Sequence, residues 1–135
     1  MRRANLCVIV FATWLLSSCD FALGLDILNA TDGPITVKVG GDSQSVEAGL
    51  SYHGRFPEGG TFSVSAANCV RVYPVPSLDA APWQYLIGDS IKLRAMPSGV
   101  LLAYPPTPDV RLKGNPLRKM DGSEVQLKPV RQTCR

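Results

Sequence analysis

From Leu25 onward, apolar and polar residues alternate in short runs, and turn-forming residues break each run before it reaches helical length. Successive side chains of a strand point to opposite faces, so alternation with period two is the pattern of a half-buried strand. Residues 35–39 place Ile35, Val37 and Val39 on one side and Thr36 and Lys38 on the other. Residues 61–66 set Phe62, Val64 and Ala66 against Thr61, Ser63 and Ser65, and residues 91–95 align Ile91, Leu93 and Ala95. Less regular runs lie at 25–28, 43–47, 69–73, 83–87, 100–104 and 125–128; Gln44 and Val46 share a face, as do Val70 and Val72, inward or outward. Turn chemistry separates them at 29–34, Gly40-Gly41-Asp42, Glu58-Gly59-Gly60, Gly88-Asp89 and Pro97-Ser98-Gly99. Roughly six to eight short strands at a spacing of about 8–12 residues predict an all-β fold. The expected form is a small β-sandwich, immunoglobulin-like in the broad sense. Two proline-rich stretches, 74–82 and 105–116, resist strand pairing because proline lacks the amide donor.

The segment before this pattern has a different character. Arg2 and Arg3 precede an apolar run from Leu6 to Leu16 that only Thr13 interrupts, and small Ser17 and Ser18 follow. Charge, apolar core and small residues in that order mark a secretory signal peptide. The run is shorter than the roughly 20 residues a membrane span needs. Cleavage by an ordinary signal peptidase would leave Cys19 a plain cysteine. A second reading rests on Leu16-Ser17-Ser18-Cys19, an aliphatic residue, two small residues and a cysteine directly after the apolar core. This stretch resembles the lipobox of bacterial lipoproteins, and the resemblance covers residues 1–19 only.

The resemblance implies that residues 1–18 are removed. Cys19 would then receive a diacylglycerol on its sulfur, commonly with a further palmitate-type acyl chain on the new amino terminus. Acyl burial contributes about 0.8 kcal/mol per CH₂ and stable anchoring takes more than one chain, so such an anchor would be effectively permanent. Asp20 resembles the signal that holds lipoproteins in the inner membrane, which favours that membrane over the outer one. Residues 19–24 form a short link of at most about 17 Å when extended, placing the domain of residues 25–135 close to the bilayer. On the same resemblance, Cys7 leaves with the leader and Cys19 carries lipid. Cys69 and Cys134 then remain as a pair, expected to be bonded in an oxidising periplasm. The bond would pin an irregular, basic C-terminal tail, starting at about residue 105, onto the domain.

Charge is unevenly spread. From Cys19 to Asp109, five basic residues (Lys38, Arg55, Arg71, Lys92, Arg94) against nine acidic ones give −4, whereas residues 110–135 carry seven basic and two acidic residues, giving +5. A basic tail suits anionic lipid or an acidic partner. An exported chain without a nucleic-acid motif excludes a nucleic-acid role.

Candidate chemistry is sparse. His53, in Ser51-Tyr52-His53-Gly54-Arg55, is the single histidine and reads as a surface or turn residue rather than a catalytic base. Asp26, Asp32 and Asp42 lack the dense oxygen spacing of a calcium loop, and Asx turns explain Asp32 and Asp42. Tyr73, Trp83, Tyr85 and Tyr104 border the proline-rich stretches and are the candidate partner contacts, with burial in the core as the simpler alternative. The function expected from sequence is a membrane-anchored, periplasm-facing lipoprotein. It would act as a non-enzymatic binding or structural module for another envelope component, without cofactor or metal beyond the covalent lipid. An inhibitor of an envelope hydrolase, or a small hydrolase, is the alternative.

Overall fold

Alternation becomes pairing when, among the described residues, ten strands associate into two sheets. The computed structural model describes residues 24–55, 60–76, 90–104, 116, 118, 119 and 121–135. In chain order the strands are β1 (Gly24–Asn29), β2 (Ile35–Val39), β3 (Asp42–Val46), β4 (Ser51–Arg55), β5 (Thr61–Ala66), β6 (Cys69–Pro74), β7 (Ser90–Ala95), β8 (Leu101–Tyr104), β9 (Gln126–Leu127) and β10 (Arg131–Cys134). Sheet I has the order β4-β1-β7-β8-β9 and sheet II the order β10-β6-β5-β2-β3. Among the described pairs, all are antiparallel except β1 with β7, which run parallel from Gly24↔Ser90 to Asn29↔Ala95. The fold is thus a small all-β sandwich, as the alternation predicts.

The core lies where the two apolar faces meet. Sheet I contributes Leu25, Ile27, Tyr52, Ile91, Leu93 and Leu101, and sheet II contributes Ile35, Val37, Val46, Phe62, Val64 and Tyr73. Each fully buried aliphatic side chain of this kind adds roughly 1.5–3 kcal/mol relative to exposure. One polar side chain is fully buried among the described residues, Asn29 at the end of β1. Its amide donates to the Val46 carbonyl at 2.9 Å and the Gly33 carbonyl at 2.8 Å, which ties sheet I to the edge of sheet II.

Two expectations are corrected. Residues 51–55, read from sequence as surface or turn around His53, form strand β4, paired along β1 from Gly24↔Arg55 to Leu28↔Ser51, with His53 exposed on it. A glycine in the middle hides this strand in the sequence, yet the glycine is required there. A Cβ on Gly54 would collide with the Tyr52 ring, which lies along the strand over it. The tail is also less irregular than expected. Arg131 to Cys134 pair in register with β6, and Cys134 stands directly opposite Cys69. The run expected at 83–87, and most of both proline-rich stretches, lie outside the described residues.

Candidate functional site

Register places the two faces of sheet II in contrast. With Val37, Val39, Phe62, Val64 and Tyr73 turned into the core, the alternate residues face outward in two rows that cross all five strands. The first row reads Arg131, Val72, Ser63, Lys38, Ser43, and the second reads Thr133, Val70, Ser65, Thr36, Ser45. None of these residues is buried. Neighbouring strands lie about 4.8 Å apart, so each row spans roughly 19 Å. The rows carry two cations, two valines and otherwise hydroxyl side chains, and no carboxylate. Among the described residues, these hydroxyls make no hydrogen bond within the chain, and Lys38 and Arg131 have no ion-pair partner. A hollow of about 250 Å³ opens on this face, lined by Lys38, Thr61, Ser63, Val72 and Arg131. A second of about 470 Å³ lies beyond it beside Ser65, Val70, Thr133 and Arg135. Next to this second hollow, Ala67 holds the β5–β6 turn in the left-handed region at φ 51°. For a residue with a Cβ that conformation costs roughly 1–2 kcal/mol.

The outward face of sheet I is built differently. Leu28, Leu102 and Tyr104 occupy its outward positions and are buried nonetheless, at 5, 8 and 1 % exposure. The Arg94 guanidinium stacks over Tyr104 at 4.3 Å from the ring centre. Toward the β4 edge, His53 Nδ1 meets Asp26 Oδ1 at 2.7 Å, and Ser90 Oγ donates to Asp26 Oδ2 at 3.0 Å. Nucleophilic serine catalysis requires the imidazole between hydroxyl and carboxylate. Here the carboxylate sits between the other two, so His53 is not placed to take the Ser90 proton.

The residues singled out from sequence are thus widely dispersed. Cys69 and Cys134 are bonded. Tyr73 and Tyr104 are corrected as partner contacts, because both are 1 % exposed. Tyr73 stacks on Phe62 with ring centres 5.5 Å apart and donates its hydroxyl to the Gly99 carbonyl at 2.7 Å. Trp83, Tyr85 and Cys19 lie outside the described residues. Asp26, Asp32 and Asp42 stand apart, in β1, in the turn after it and at the start of β3. No three His, Cys, Asp or Glu side chains converge among the described residues. The rows of sheet II escaped the sequence reading. Their alternation is visible strand by strand, but the order β10-β6-β5-β2-β3 that assembles them is not.

Burial and its hydrogen bond give Tyr73 a measurable signature. Removal from water pushes its hydroxyl up to about 12, with nearby Arg71 opposing weakly. Between pH 10 and 12 the folded chain keeps a proton that the unfolded chain releases, so stability falls as pH rises through that window. The expected loss is about 2–3 kcal/mol from this residue. Burial also raises Tyr52 and Tyr104. Urea titrations at a series of pH values should therefore show a steep alkaline decline that Tyr73→Phe makes shallower without abolishing. An unchanged slope in that variant would assign the decline elsewhere.

Comparison with protein-family models, with curated proteins and with solved structures returned no match. The class that fold and site define is a two-sheet β-sandwich in which, among the described residues, the outward side chains of sheet I are partly buried and the two outward rows of sheet II are not.

Proposed function

We propose that the chain is a lipid-anchored, periplasm-facing lipoprotein. It acts as a non-enzymatic binding module for another component of the bacterial envelope and binds through the outward face of sheet II. The observation that supports this is the face itself: two rows of outward-facing hydroxyls, two cations and two valines, with no carboxylate among them. Short hydroxyl side chains whose backbones are already paired in strands lose little conformational freedom on binding, which favours recognition. The anchor rests on the lipobox-like Leu16-Ser17-Ser18-Cys19, and Asp20 after it favours the inner membrane.

Two experiments test the proposal. Mass spectrometry of the amino-terminal peptide should show Cys19 as the first residue, carrying lipid. Cys19→Ala should leave the precursor uncleaved or release the protein from membranes. An unchanged mass and membrane partition would overturn the anchor. For the module, photo-crosslinking side chains introduced at Ser45 or Val70 should capture an envelope component in cells, whereas one at Asp121, in a turn outside sheet II, should not. Equal capture from both places, or none, would remove the assignment to this face.

A further inference from the structure

We propose that the outward face of sheet II docks an acidic glycan, an extended polyhydroxylated polymer bearing carboxylates. This inference rests on the binding-module reading and names its partner by chemistry. Charge complementarity is the first argument. Lys38 and Arg131 line one hollow from opposite sides, with Ser63 and Val72 between them. Their backbones stand three strand spacings apart, about 14 Å. Both side chains are long and flexible, so the two cations reach one carboxylate or two neighbouring ones over Ser63. No acidic residue in the rows competes for them.

Hydroxyl density is the second argument. Ser43, Ser63, Thr133, Ser65, Thr36 and Ser45 recur along and across the strands, and each hydroxyl both donates and accepts. A repeating grid of this kind matches the ring hydroxyls of a sugar polymer lying flat. An anionic bilayer is the poorer fit. Two cations alone give only weak attraction to a charged membrane surface. The apolar side chains of the two rows, Val70 and Val72, offer little to insert, Val70 being the exposed one. An acidic peptide would be expected to seek main-chain pairing at a sheet edge rather than a grid of hydroxyls on its face.

The test uses the mature lipoprotein in detergent micelles with four probes: polygalacturonate, neutral dextran, polyglutamate, and phosphatidylcholine vesicles containing phosphatidylglycerol. Polygalacturonate should bind, weaken as salt rises, and lose about tenfold in affinity with either Lys38→Gln or Arg131→Gln, equivalent to about 1.4 kcal/mol. Thr36→Ala with Ser63→Ala should weaken it further, and Lys128→Gln, outside the rows, should not. Dextran should bind at least tenfold more weakly. Absence of polygalacturonate binding, indifference to the two cation variants, or equal binding of polyglutamate or vesicles with the same dependence would overturn the proposal. Continued capture from Ser45 and Val70 in cells, with no polygalacturonate binding, would sink the glycan while leaving the module. Loss of both would sink the module as well.

Discussion

Replacing Cys69 and Cys134 together by serine is expected to lower the free energy of unfolding by about 4 kcal/mol. The bond joins residues 65 apart in sequence, and closing so long a loop removes much of the freedom of the unfolded chain. It also joins residues already opposite in register, with Cα atoms 4.0 Å apart. The Arg135 amide bonds the Asn68 carbonyl at 3.0 Å just beyond the pair, which puts the cysteines at the closer, non-hydrogen-bonded position of the ladder. Strand β10 has little else. It is four residues long, exposed throughout, and lies at the edge of sheet II. Reduction should therefore first release β10, seen as rapid amide exchange from Arg131 to Cys134, and should take Arg131 and Thr133 out of the two outward rows. Urea titrations with and without reductant measure the stability term. A difference below about 1 kcal/mol would show that the unfolded chain is not the state the bond restrains.

Legibility of this fold divides along the line between local and non-local information. Strands β2, β5 and β7 were readable because each alternates cleanly, and their inward residues Ile35, Val37, Phe62, Val64, Ile91 and Leu93 are the core. Strand β4 was not, because Tyr52 is its single large apolar residue and Gly54 looks like a breaker. The Tyr52 ring lying over position 54 explains why a glycine belongs in this strand. Strand β10, Arg131-Gln132-Thr133-Cys134, carries no hydrophobic pattern at all and exists through β6 and the disulfide. The parallel pairing of β1 with β7 joins segments more than sixty residues apart, and nothing local announces it. For Tyr73 the expectation of a partner contact gives way for a related reason. Tyr73 shares parity with the apolar side of sheet II, and that side was undecided until β5 and β10 fixed the register of β6.

Asn29→Leu should cost a further kind of stability, about 3–4 kcal/mol, although the substitution exchanges a polar for an apolar side chain in a fully buried place. Asn29 reads in sequence as the first residue of a turn cluster. In the structure all of its side-chain capacity is used. Its amide donates to Val46 and Gly33, and its carbonyl oxygen accepts from the Thr31 amide at 2.9 Å and the Thr31 hydroxyl at 2.7 Å. Its backbone bonds Leu50 and Gly49 in the loop before β4. Leucine would leave the buried Val46 carbonyl without its donor and the partly buried Thr31 amide without its acceptor, while the Gly33 carbonyl keeps the Thr31 hydroxyl at 2.9 Å. Asn29→Asp separates donor from acceptor. The carboxylate still accepts from Thr31 but faces the Val46 and Gly33 carbonyls without a proton to offer. Its pKa should therefore rise above the unfolded value, so this variant is expected to gain stability as pH falls through the raised value, where the acid donates one of the lost bonds. Thr31→Val, which removes one hydroxyl, should cost only about 1 kcal/mol. Urea titrations of the three variants at neutral and acidic pH make the comparison. A loss below about 1 kcal/mol for Asn29→Leu, or no acidic recovery for Asn29→Asp, would mean that the brace is not the join between the sheets. If the brace is the join, its loss reaches the proposed binding face as well. Val46 ends the strand that presents Ser43 and Ser45, so freeing it loosens the outer end of both rows.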